Sequence, residues 1–169
     1  RRHPVPADAA GVMPPVVPAE LAFTGDGTPY SPAYDDVYHA AHGALEQARH
    51  VFLAGNDLPA RWTGIGSFAI LEAGFGIGLN FLATWQAWRE SPAAGRLHFI
   101  SVEKHPFRHA DLVRLLASYP ELAELADELL RQWPPLTPGF HRLHFDHGRI
   151  TLTLLLGDAQ VLLPQLAGS

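Results

Sequence analysis

The chain is predicted to fold as an α/β protein around a parallel sheet, on three observations. Phe68-Ala69-Ile70-Leu71 is a short continuous apolar run, as in a central parallel strand, and it ends at the acidic Glu72. Gly74, Gly76 and Gly78 follow at every second position, and helical spacing starts at Leu79 with Phe81, Leu82, Trp85 and Trp88. The order strand, helix, strand, helices, strand then continues to the end of the chain, which is the pattern of parallel strands joined by crossovers.

Each element can be justified in turn. Residues 1–12 (RRHPVPADAAGV) are rich in proline and alanine, do not begin with Met, and are expected to form a flexible lead. Arg1-Arg2 has no apolar stretch behind it and so is not read as a secretion signal. Residues 13–66 are expected to form an N-terminal arm and a helix. Prolines and the turn Gly25-Asp26-Gly27 suggest short strands with a hairpin turn. A helix is expected over Gly43–Ala54, with Ala44, Ala48, Val51 and Phe52 as its apolar stripe and Gly55-Asn56 at its end. Residues 67–169 hold the sheet. Leu97–Val102 forms the second strand and ends at Glu103. Helices are expected over His109–Ser118 and Glu121–Trp133, before Pro134 and Pro135 stop the pattern. His141–Phe145 and Arg149–Leu156 read as two strands around a turn at Asp146-His147-Gly148, and Val161–Leu166 as a short amphipathic segment.

Bulk composition narrows the function classes. At 169 residues the chain has one domain's length, and 47% hydrophobic with 17% charged residues suits a globular protein. The net charge of −5 argues against a strongly cationic nucleic-acid surface. The absence of cysteine excludes disulfides, thiolate catalysis and thiolate zinc sites. No apolar run approaches the ~20 residues needed to span a bilayer. His141, His144 and His147 follow a spacing of three, which on a strand places His141 and His144 on opposite faces. His39 and His42 lack a third ligand, so no metal is expected.

The glycine turn selects its ligand class. A dinucleotide site wants glycine at the first, third and sixth positions, but the sixth position is Leu79 counted from Gly74 and Phe81 counted from Gly76. The pattern acidic-x-Gly-x-Gly-x-Gly instead resembles the first motif of class I S-adenosylmethionine-dependent methyltransferases, a Rossmann-like fold. S-adenosylmethionine carries an ammonium and a sulfonium, and Glu72 could orient that cationic end. Glu103, at the end of the second strand, has the position and chemistry to bind ribose hydroxyls. Its alternative is a surface carboxylate paired with Lys104 or Arg108. Asp158 and Ala159 resemble the family's adenine-contacting element, while Asp158 is equally suited to cap the last helix. Gly74, Gly76, Gly78 and Asn80 complete the expected cofactor set.

Longer segments resemble one family. DDVYHA (35–40), GALEQARHVFLAGNDLPARW (43–62), EAGFGIGLNFL (72–82), LHFISVEKHP (97–106), the stretch 121–154 and Gly157-Asp158-Ala159 are together similar to the N-terminal methyltransferase domain of the bifunctional tRNA 5-methylaminomethyl-2-thiouridine biosynthesis proteins. The resemblance implies a cytoplasmic enzyme that transfers methyl from S-adenosylmethionine to the aminomethyl group of a modified wobble uridine in tRNA. It also implies an FAD-dependent oxidoreductase domain elsewhere in the full-length protein and no membrane partner. The resemblance places about three of the sheet strands here, so the chain is expected to be a fragment truncated before the fourth strand, with an open edge suited to self-association. The catalytic carboxylate implied by the resemblance lies in an Asp-Gly-Phe segment that this sequence lacks, leaving the catalytic base unknown. Asp35, Asp36 and Tyr38 are expected on the substrate side. Two other readings stay open: a class I methyltransferase of a protein or small molecule, and a non-catalytic interaction module.

Overall fold

The computed structural model describes residues 13–27, 29–31, 36–37, 41–91 and 95–168. The expected flexible lead, residues 1–12, lies outside the described residues. Ala22–Phe23 (β1), Pro29–Ser31 (β2) and Asp36–Val37 (β3) form a small antiparallel sheet, and β1 and β2 meet across the glycine-containing turn read from the sequence. Ala41–Gln47 (α1) continues into a wider π-helical stretch, Ala48–Ala54. Leu45 and Ala48 are buried, but Val51 is 64% exposed. The expected stripe is therefore corrected: the wider helical turn rotates Val51 off the core side.

The main sheet contains Ser67–Ala73 (β4), followed by the helix Leu79–Arg89 (α2), then Arg96–Glu103 (β5). His109–Leu116 (α3) and Ala123–Gln132 (α4) come next, and Gly139–Phe145 (β6) and Ile150–Leu156 (β7) form a hairpin before the final helix, Ala159–Leu166 (α5). The strand order is β4-β5-β7-β6, with β4, β5 and β7 parallel and β6 antiparallel to β7. The sheet thus has the three parallel strands expected, with the hairpin strand β6 added antiparallel at its far edge.

β4 borders the open edge expected from the sequence. Among the described residues it pairs only with β5 and occupies the opposite edge of the sheet. Phe68 and Ile70 pack on the core, whereas Leu71 is 57% exposed. A continuous apolar run does not distinguish a strand buried on both faces from one buried on a single face.

The core lies between the sheet and the layer formed by α1, α2, α3 and α4. Phe81, fully buried in α2, meets Trp85, Phe99 of β5 and Phe145 of β6 with ring centroids 5.7, 5.4 and 5.7 Å away. Trp85 and Trp88 are buried in the same core. Arg89, at the end of α2, grips the β6–β7 turn. Its Nε and Nη2 donate to the two oxygens of Asp146 at 2.9 and 2.7 Å, and Trp85 Nε1 donates to the same carboxylate at 2.8 Å. The guanidinium holds the Asp146 carboxyl below its ordinary range.

Replacing Phe81 by Ala removes a ring shared by three elements and should cost about 3–5 kcal/mol. Urea unfolding of the two proteins measures it; a loss under ~1 kcal/mol would mean that the aromatic cluster is not the centre of the core.

Candidate functional site

The parallel strands all end on one side of the sheet, where their connections open a crevice, the usual ligand position in an α/β sheet. β4 delivers Glu72 and β5 delivers Glu103 to that edge. The turn between β4 and α2 places its three glycines at positive φ, 86° at Gly74, 58° at Gly76 and 85° at Gly78. A side chain at Gly78 would meet the Phe75 ring at 2.8 Å, so this glycine serves packing. A Cβ at Gly74 or Gly76 would meet nothing within 4 Å, so these two leave open space above the turn.

Glu72 is buried at 9% exposure and accepts hydrogen bonds from Ser101 Oγ at 2.9 Å and from Asn80 Nδ2 at 3.2 Å. Burial raises its pKa from 4.5 to about 7, the two hydrogen bonds oppose that shift, and the charge of Glu103 adds to it. Glu103 accepts from the backbone N–H of Gly76 at 3.0 Å and from that of His105 at 2.8 Å. The expected alternative, pairing with Lys104 or Arg108, is not what the structure shows: the carboxylate clamps the glycine turn. Each oxygen keeps a lone pair for a further donor.

Asp158 caps α5, its Oδ1 accepting from Gln160 N–H at 2.8 Å. The capping role is therefore real, and the residue stands beside the same edge because Gly157 N–H donates to the Glu103 carbonyl at 3.0 Å. Ala159 starts α5 immediately behind it. Asp35 and Tyr38 lie outside the described residues, and Asp36 is described only by its backbone in β3.

A cleft of about 560 Å³ runs beside the turn. Ala44, Ala48, Val51 and Phe52 form one wall, and Ile77 and Asn80 form part of the other. Asn80 joins the cleft to the carboxylates, since its amide bonds Glu72. Ser101 and the wall from the helix over 41–54 were not legible as site elements. Ser101 is recognisable only once register pairs it with Glu72 across β4 and β5. Among the described residues no group of His, Cys, Asp and Glu could hold a metal.

The electrostatics favour a cation. Two carboxylates flank the turn, and one of them occupies the Gly76 N–H that a phosphate would otherwise use. Glycine-formed open space, acceptor oxygens and a poised carboxylate fit an amino-acid-like cationic ligand and disfavour a pyrophosphate.

Residues 120–169 match the family described as S-adenosyl-L-methionine-dependent methyltransferase. The chain is 65% identical over 153 residues to the tRNA 5-methylaminomethyl-2-thiouridine biosynthesis bifunctional protein MnmC of Aromatoleum aromaticum, an alignment spanning 90% of this chain and 24% of that protein. It is 63% identical over 145 residues to the protein of the same name from Thiobacillus denitrificans, covering 85% of this chain and 23% of the relative. Over the segment it spans, the chain is similar to these MnmC proteins. It spans about a quarter of the length of these curated relatives. The crystal structure of MNMC2 from Aquifex aeolicus superposes with a TM-score of 0.58 at 25% identity, over 86% of this chain and 44% of that one. The fold is accordingly the Rossmann-like methyltransferase fold read from the glycine turn.

Glu72 makes stability depend on pH. A carboxyl whose pKa rises from 4.5 to about 7 on folding favours the folded state fully below pH 4.5 and loses that contribution as pH rises through 7. Glu72→Gln should therefore raise the melting temperature at pH 8 and change it little at pH 4. Ser101 and Asn80 can reorient to suit the amide. Thermal melts at the two pH values decide; equal effects at both would show that the carboxyl is not held neutral.

Proposed function

We propose that this chain carries the cofactor-binding part of a methyltransferase that moves the methyl group of S-adenosylmethionine to the aminomethyl nitrogen of a modified wobble uridine in tRNA. The observation that carries the reading is the Glu72–Asn80 turn: left-handed glycines with open space above them, flanked by Glu72 and Glu103. The relatives' name supplies the tRNA substrate, and their bifunctionality agrees with a second, FAD-dependent oxidoreductase domain in their remaining length. A cytoplasmic location follows from that substrate. Among the described residues no helix is long and apolar enough to cross a membrane.

S-adenosylmethionine supplies a methyl group bonded to a positively charged sulfur, which an uncharged amine can attack in line. Glu72, ionised by the nearby cation, would hold the amino-acid end of the cofactor directly or through water. Glu103 keeps the turn in shape through Gly76 and His105 and offers its remaining lone pairs to the ribose hydroxyls. Asp158 and the start of α5 at Ala159 would border the adenine. Asn80 orients Glu72 and faces the cleft, the route by which the substrate amine would approach. The chain's task in this reaction is alignment and exclusion of water, and in-line displacements depend strongly on both. Asp35, Asp36 and Tyr38 are assigned to the substrate side. The base that receives the amine's proton is assigned to no residue of this chain.

Calorimetric titration with S-adenosylmethionine tests the reading. Binding near pH 7 should release protons from Glu72, so the observed enthalpy should vary with the ionisation enthalpy of the buffer. Glu72→Gln should abolish that variation and weaken binding about tenfold or more, the scale of one lost charge contact. Absence of binding by the folded protein would reject the reading.

Gly76→Asn should weaken binding at least tenfold by filling the space over the turn while leaving the melt shifted only modestly, since asparagine is among the residues that tolerate its φ of 58° best. Unchanged affinity would place the ligand elsewhere.

A further inference from the structure

Among the described residues, α5 covers the sheet face opposite the α1–α4 layer near the strands' C-terminal ends, where Leu162 packs on Val102 and Leu155. Toward the other end of the parallel strands the same face opens as a cleft of about 500 Å³ bordered by Arg96, His98, Arg142, His144, His147 and Thr151, with no Asp or Glu in its lining. In a chain of net charge −5, this is a local concentration of the opposite sign.

The residues reach this face by strand geometry. Arg142 and His144 alternate on the outward side of β6 with Phe140, which is 41% exposed. In register, Arg142 stands opposite Thr153 and His144 opposite Thr151 on β7. The threonines steady the imidazoles: His144 Nδ1 lies 3.2 Å from Thr151 Oγ1, and His98 Nε2 lies 2.7 Å from Thr153 Oγ1. Arg96 and Arg142 form no ion pair among the described residues, in contrast to Arg89, which is engaged by Asp146 and Glu124. His98 is held below its ordinary pKa, first by burial and then by the charges of Arg142 and His144.

We infer that this open sheet face is a second docking surface, for the sugar–phosphate backbone of an RNA strand, with Arg96 and Arg142 as its phosphate contacts. Two unpaired guanidiniums provide bidentate phosphate recognition. The imidazoles of His98 and His144 add hydrogen bonding, and Phe140, on the same outward side of β6, offers an exposed ring for base stacking, a combination that suits an RNA strand. The surface deepens the tRNA reading and depends on it for the identity of the RNA, but not on the cofactor site. β5 runs from Arg96 at this surface to Glu103 at the cofactor edge, about 23 Å at ~3.3 Å per residue. One folded RNA could therefore touch both.

The test measures binding of a fluorescein-labelled anticodon stem-loop RNA by anisotropy across a salt series. Arg96→Ala with Arg142→Ala should weaken binding about tenfold or more and flatten the slope of log K against log salt by about 1.4, the value for two lost phosphate contacts on a single strand. The pair Arg96→Lys and Arg142→Lys, which keeps the charge and the fold, should retain most of the slope. Arg108→Ala with Arg131→Ala removes the same charge from outside this face and should leave binding near that of the parent protein. Equal losses from both alanine pairs, no effect of the first pair, no RNA binding at all, or tighter binding of polyglutamate than of RNA would each overturn the proposal. Failure of S-adenosylmethionine to bind would leave it standing.

Discussion

The C-terminal end of β5 is the constraint on which the site depends. Glu103 reaches back to Gly76 N–H with one carboxylate oxygen and forward to His105 N–H with the other, while its backbone carbonyl receives Gly157 N–H. One residue earlier, the Val102 carbonyl receives Gly74 N–H at 2.7 Å. Two adjacent residues thus tie together the turns after β4, β5 and β7. The glycine turn has little of its own to fix its shape, since glycine gains conformational freedom at the expense of order. The bonds from β5 replace that missing preference.

The second carboxylate follows from the same arrangement. With the turn drawn over the ends of β4 and β5, Glu72 is sealed from solvent and left with Ser101 and Asn80 as its donors. Burial without a cation keeps its proton affinity high, and a nearby Glu103 reinforces the effect. A site holding two carboxylates and an engaged turn amide is electrostatically prepared for a positive ligand. That is the physical difference between this turn and a phosphate-binding one, where free N–H groups and a bare helix dipole await an anion.

The layer of helices gives the turn a rigid floor. Phe75 stacks on Trp133 at 5.7 Å and approaches Phe81 at 6.3 Å, so the turn's own aromatic residue is anchored in the core. The N-terminal arm adds a wall from the other side: Ala19 N–H donates to the Pro106 carbonyl at 3.0 Å, and His105 Nδ1 sits 2.9 Å from the Val17 carbonyl. The site is therefore supported by segments far apart in the chain, which is why its geometry cannot be read from the turn alone.

Local chemistry was legible in order of residues. Apolar runs, glycine at every second position, and acidic residues at strand ends identified the strand–turn–helix unit, the α/β class and the placement of Glu72 and Glu103 at the strand ends beside the turn, because each signal lies within a few neighbouring positions. The hairpin around Asp146-His147-Gly148 was legible for the same reason. Other properties depended on pairing between distant strands and required the tertiary structure. The burial pattern of β4 depends on which strands and helices flank it, so a uniformly apolar run does not show that Phe68 and Ile70 pack on the core while Leu71 is exposed among the described residues. Ser101 became a site residue only through its register with Glu72, and Glu103 became a clamp only because the turn folds over it. The cationic sheet face has the same origin. Arg96, His98, Arg142 and His144 come from two strands separated in sequence, and their concentration within an acidic chain exists only where β7 brings β5 and β6 together.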